Sequence, residues 1–157
     1  MKNLKDRFKS LVAIEATTND QVSQAGAGTK DISDVKVSIP NKPPAGLCFR
    51  VKLAGTKTGA NAAMAVKIKI GSTVVITLTA DDGSAVDWVA EFLIRISNSK
   101  VQKCSGFFLA NTAEPDVDYA AGAVDLSAGA DLVPQITSGH ASDTVTCEMA
   151  TVESFEA

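Results

Sequence analysis

The sequence predicts an all-β fold: an antiparallel β-sandwich, a jelly roll of about eight strands, preceded by a short N-terminal arm. Three observations predict it. Between residues 35 and 97 apolar and polar residues alternate with period two in short runs. Loops of small residues separate those runs, and Gly71-Ser72 joins two of them with glycine first, as a tight hairpin requires.

Residues 1–16 differ from the rest of the chain. Leu4, Phe8, Leu11 and Val12 fall at helical spacing on one side, and Lys2, Lys5, Arg7 and Lys9 occupy much of the remainder. A helix this short is marginal alone in water, so it needs a surface to lie on, either its own domain or a neighbouring subunit or another protein. Residues 17–29 are rich in Ala, Gly, Gln, Ser and Thr and read as a linker or extended arm. The expected division is therefore an arm and linker over residues 1–30 and a sandwich over residues 31–157.

Within the sandwich, Val35, Val37 and Ile39 share one face of the first run. Phe49, Val51 and Leu53 point inward from the second, with Arg50 and Lys52 opposite and Lys57 in the loop that follows. Val66, Ile68 and Ile70 do the same in the third, with Lys67 and Lys69 outward, before the run TVVITLT. The longest candidate is DWVAEFLIRIS. Trp88, Ala90, Phe92, Ile94 and Ile96 line one face, and the other mixes Val89 and Leu93 with charges, a pattern that suggests cover by another segment or subunit. A strand carrying Phe107 and Phe108 follows, then a long loop or weak strand over residues 111–130 anchored by Val117, Tyr119, Val124 and Leu126. Pro134 cannot donate to a ladder and marks LVPQIT as an edge strand or a bulge. The closing strand alternates Val145, Cys147 and Met149 with Thr144, Thr146 and Glu148.

Composition excludes several functions. A chain of 157 residues that folds as one globule buries roughly two-thirds of its extended surface, enough for a core without covalent staples. Cys48, Cys104 and Cys147 read as small buried hydrophobes, and no CxxC is present. Net charge is −3, against the broad positive footprint of a nucleic-acid binder. No apolar run approaches the roughly 20 residues of a membrane span. The apolar stretch Leu11 to Ile14 is too short for the core of a secretory signal, so synthesis in a cytoplasm is expected. The lone His140 offers no metal set, and no cofactor is implied.

Catalytic patterns are equally thin, and no enzymatic activity is expected. The carboxylates fall mostly in turns or on outward strand positions. Asp81-Asp82-Gly83-Ser84 lacks the spaced oxygen ligands of a calcium loop and reads as a turn, and residues 55–59 (GTKTG) lack the Gly-Lys-Ser/Thr of a phosphate loop. The outward cations Arg50, Lys52, Lys67 and Lys69 form either a solvated face or a contact patch for an acidic protein surface.

The run KVSIPNKPPAGLCFRVKLAGTKTGANAAMAVKIKIGSTVVITLTA, followed by DWVAEFLIRI and a final TVTCEMATVESF, resembles the β-sandwich module of tailed-bacteriophage virion proteins of the head decoration, or cement, type. The resemblance spans about residues 35–155. It departs at Arg95-Ile96-Ser97-Asn98, where the family carries arginine-threonine-glycine, and residues 111–132 have no counterpart. It implies a virion component, commonly a homotrimer, bound to the major capsid protein at the capsid surface. In that setting Leu4, Phe8, Leu11 and Val12 are the expected capsid anchor, Val89 and Leu93 the expected subunit interface, and the four outward cations the expected charged contact. The competing expectation is a tail-tip or fibre module that binds host carbohydrate.

Overall fold

The computed structural model describes residues 13–59, 63–80, 85–110 and 116–156. Among them the chain forms strands β1 (Ala13–Thr18), β2 (Val22–Ala25), β3 (Gly28–Asp31), a single 3-10 turn (Ser33–Val35), β4 (Val37–Ile39), β5 (Leu47–Thr58), β6 (Met64–Ile70) and β7 (Thr73–Ala80). The second half adds β8 (Val86–Asn98), β9 (Val101–Ala110), β10 (Asp116–Gly122), β11 (Ala130–Ser138) and β12 (Thr144–Glu156). Two antiparallel sheets face each other as a β-sandwich of jelly-roll type. The seven-stranded sheet runs β1-β12-β5-β8-β9-β10, with β2 following β1 along the same edge of β12. The five-stranded sheet runs β3-β11-β6-β7, with β4 beside β3 on the edge of β11.

The period-two residues meet between the sheets, as the alternation requires. Val66, Ile68 and Ile70 from the five-stranded sheet, and Phe49, Val51, Leu53, Trp88, Phe92, Ile94 and Ile96 from the seven-stranded one, are all buried in a single core. Trp88 meets Phe108 edge to face, ring centroids 6.1 Å apart, which suits the ring quadrupoles. The β6–β7 hairpin turns at Gly71-Ser72. Gly71 has φ +60°, the left-handed value that a side chain resists and a two-residue turn needs at its first position. Gly106 is small for another reason. A Cβ there would lie 2.7 Å from Leu78 Cδ1, so the two sheets could not approach as they do.

Several sequence expectations are corrected. Among the described residues twelve strands stand where about eight were expected, and residues 17–30 belong largely to the sheets rather than to a linker: β1 and β2 pair with β12, and β3 pairs with β11 across the expected boundary at residue 30. Their side chains are mostly exposed, so backbone pairing holds them and no apolar period announces them. Val35 is buried but sits in the 3-10 turn, before the strand begins. Pro134 lies inside the five-stranded sheet, between β6 and the β3/β4 edge. Its carbonyl accepts the Ile32 N–H at 2.9 Å, so its nitrogen faces the gap where the chain turns between β3 and β4 and no ladder bond is lost. Met149 faces outward because the register of β12 against β5 shifts between Cys147 and Met149. That bulge at Glu148 inverts the alternation beyond it, and Ala150 and Val152 are buried instead. Lys57 is no loop residue: it lies buried in β5, its ammonium 3.4 Å from the equally buried carboxylate of Asp143.

Candidate functional site

The outer face of the seven-stranded sheet presents an apolar band. Cross-strand register aligns Met149, Ala54, Val89 and Leu109 in one row, Thr151, Lys52, Glu91, Phe107 and Val117 in the next, and Glu153, Arg50, Leu93, Ser105 and Tyr119 in a third. Val89, Leu93, Phe107, Val117, Tyr119 and Met149 are all exposed, from 39% at Leu93 to 79% at Tyr119. Two adjoining hollows of about 330 and 460 Å³ lie along it, sharing Phe107 and Glu91 as a common wall. Contiguous apolar surface of this kind marks an interaction site rather than a solvated face.

The charges within the band neutralise one another. Arg50 reaches Glu91 and Glu153, each at 3.5 Å, and its guanidinium stacks 5.4 Å over the Phe155 ring. Lys52 reaches Glu153 at 3.5 Å. The structure does not unite the four cations singled out in the sequence: Arg50 and Lys52 project from β5, whereas Lys67 and Lys69 project from β6 on the opposite outer face of the sandwich. There Lys69 donates to Asp31 at 2.7 Å and Gln135 donates to the other Asp31 oxygen. The Lys69 hydrogen bond, aided by that from Gln135, holds the Asp31 carboxyl below the usual carboxylate range.

Other sequence candidates are placed as follows. Val89 and Leu93 both lie on the apolar band, two rows apart along β8 with the charged Glu91 between them on the same face. Leu4, Phe8, Leu11 and Val12, and the Asp81-to-Ser84 turn, lie outside the described residues. Residues 55–58 complete β5 as strand. His140 pairs with Ser142 in an exposed turn. All three cysteines are free and buried, and burial pushes the thiols of Cys104 and Cys147 up to about 11. Among the described residues no group of three or more His, Cys, Asp or Glu is arranged to hold a metal, and no helix is long and apolar enough to cross a membrane.

Sequence reasoning missed Phe107, Val117, Tyr119 and Met149 as members of the site. Three of them carried a signal. Adjacent Phe107 and Phe108 in one strand must face opposite sides, so one ring has to leave the core, and Val117 and Tyr119 keep period two on β10. Met149 carried none, since a bulge decides its side.

No family model matches the chain, and no curated protein matches it. Solved structures do resemble it. Arcelin-5, a lectin-like defense protein from Phaseolus vulgaris, superposes with a TM-score of 0.52 at 10% identity, over 95% of this chain and 93% of that one. The infectious bursal disease virus Gt strain structure follows at 0.39 and 14% identity, over 94% of this chain but 33% of that one. The CBM2 module of the evolved Dit of Lactobacillus casei BL23 phage J-1 gives 0.37 at 9% identity, over 78% and 69%. The neighbours are thus lectin-like β-sandwiches together with some viral and phage proteins, and what arcelin-5 shares with this chain is the fold.

Proposed function

We propose that the protein is a bacteriophage virion component of the head-decoration type, which stabilises the head by binding major capsid subunits. The observation that supports it best is the apolar band on the seven-stranded sheet. A face carrying Val89, Leu93, Phe107 and Met149 in the open works by covering itself with protein, and its neutralised central charges fit a permanent contact better than a turnover site. In this reading copies of the chain meet through the Val89 and Leu93 side as a homo-oligomer, trimeric if it follows the resembling proteins. Leu4, Phe8, Leu11 and Val12, just ahead of β1, engage the capsid. Phage heads purified away from tails and analysed by mass spectrometry and cryo-electron microscopy test the reading. It expects the chain at regular positions on the head surface and loss of binding when residues 1–12 are deleted. Recovery of the chain only with tails would overturn it.

One observation favours the tail-module reading. Tyr119 is the chain's only tyrosine, and its ring stands largely in the open above a hollow that Phe107, Ser105 and Glu91 also line. An exposed ring flanked by hydrogen-bonding groups suits a sugar. A glycan array probed with the full chain, and with Tyr119→Ala, separates the two readings.

A further inference from the structure

The ends of the apolar band carry opposite, unneutralised charge. At one end Asp87 is exposed on β8, and Glu148, at the β12 bulge, reaches Thr56, the residue opposite Asp87. At the other end Arg95 and Lys103 are exposed and stand directly opposite each other on β8 and β9. None of Asp87, Arg95 and Lys103 has an ion-pair partner among the described residues. Two cations facing each other across a ladder cost stability unless an anion covers them. Between these ends Arg50, Lys52, Glu91 and Glu153 satisfy one another.

We infer that this face pairs with the same face of a second copy, related by a two-fold axis that lies between the two faces, parallel to them and perpendicular to the strands. Such an axis reverses the strand direction and sets each strand over its own counterpart, so that Asp87 of one copy lies over Arg95 of the other, the acidic end that includes Glu148 faces the basic end that includes Lys103, and the apolar rows meet between them. The interface is isologous and self-complementary, as a two-fold demands. A three-fold axis parallel to the strands does the reverse, since it sets like ends together. The size is adequate. Five strands about 4.8 Å apart and eight residues of about 3.3 Å each span roughly 600 Å² of flat face, close to what a specific dimer covers per partner before side-chain relief is counted. The pairing rests on the same face as the virion reading and gives its homo-oligomer two-fold symmetry in place of the trimer of the resembling proteins.

Sedimentation equilibrium of the full chain at about 50 µM tests it. The expected species is a dimer that loosens as salt is raised and the end charges are screened. Reversing one end, Arg95→Glu with Lys103→Glu, weakens association by at least about tenfold. Reversing the other, Asp87→Lys with Glu148→Lys, does the same. Mixing the two reversed proteins restores a heterodimer, an outcome that damage to the fold cannot mimic. Phe107→Ser weakens the dimer while circular dichroism stays that of the parent. A monomer, a trimer, a dimer indifferent to both reversals, or reversed proteins that fail to pair would each overturn the two-fold. A monomer that binds glycans and loses them in Tyr119→Ala would give the face to sugar instead. Failure to bind heads with the dimer intact would count against the virion reading alone.

Discussion

The two outer faces of the sandwich are built by the same alternation and end in opposite chemistry. On the five-stranded sheet, outward positions are spent on a closed polar network: Lys69 and Gln135 converge on Asp31, Ser38 donates to Asp131 at 2.7 Å, and Thr29 meets Thr137 at 2.8 Å. On the seven-stranded sheet the outward positions include Val89, Leu93, Phe107, Val117, Tyr119 and Met149. A sheet with one wet face needs only polar outward residues. The first face meets that requirement except at Val74, which is 44% exposed opposite Lys69, whereas the second departs from it over three successive rows, which is the mark of a surface completed by another molecule.

Phe92 and Phe107 sharpen this contrast most directly, because they are the same residue on opposite sides of adjacent strands. Phe92→Ala opens a cavity in the core and costs about 3–5 kcal/mol, whereas Phe107→Ser costs the isolated monomer under about 1 kcal/mol. Urea unfolding of both at a concentration where the chain is monomeric checks the pair. Equal losses would mean that Phe107 belongs to the core.

Breaking one half of the buried Lys57–Asp143 pair ranks next. Lys57→Met alone removes the cation beside a carboxylate that is 1% exposed, at about 3–5 kcal/mol. The double replacement Lys57→Met with Asp143→Leu is milder than either single change, read from denaturation midpoints.

Truncation tests whether the edges share the stability of the faces. Removing residues 1–12 leaves the melting temperature near the parent's. Removing residues 1–29 strips β1, β2 and half of β3 and bares the edge of β12 and part of that of β11, so the melt drops sharply and aggregation follows. A truncated chain of that length melting like the parent would show that those pairings contribute little.

Smaller effects follow from titration. The Cys104 and Cys147 thiols are raised to about 11, so the protonated native form is favoured. Their contribution is complete below the ordinary thiol range and is lost as pH rises towards 11, visible as a falling urea midpoint and as thiol labelling that awaits unfolding. Asp31 has the opposite sign. Its carboxyl is lowered by Lys69 and Gln135, so its contribution is present above the ordinary carboxylate value and fades as pH falls through the native one. Lys69→Ala, which removes an exposed-side pair, costs under about 1 kcal/mol and shrinks that acid-side slope.

The inward positions of β5, β6 and β8 were legible because alternation is local: Val66, Ile68, Ile70, Phe92 and Ile94 need only their own strand to declare a face, and burial of all of them follows once any sheet closes. Likewise Gly71 announced its hairpin through a backbone angle that only glycine takes readily. What the sequence by itself determined is therefore the fold class, which residues turn inward on the long strands, and the mixed character of the Val89 and Leu93 face. Only the tertiary structure decided which strand lies beside which. That choice sent Arg50 and Lys52 to one outer surface and Lys67 and Lys69 to the other. It made strands of residues 13–31 through pairing with β12 and β11, seated Pro134 inside a sheet where its nitrogen meets a gap, and turned Met149 outward through one unpaired residue at Glu148. The physical reason is the same in each case. Side-chain period is written in neighbouring residues, whereas backbone pairing joins segments up to a whole chain apart, and its hydrogen bonds carry no side-chain signature.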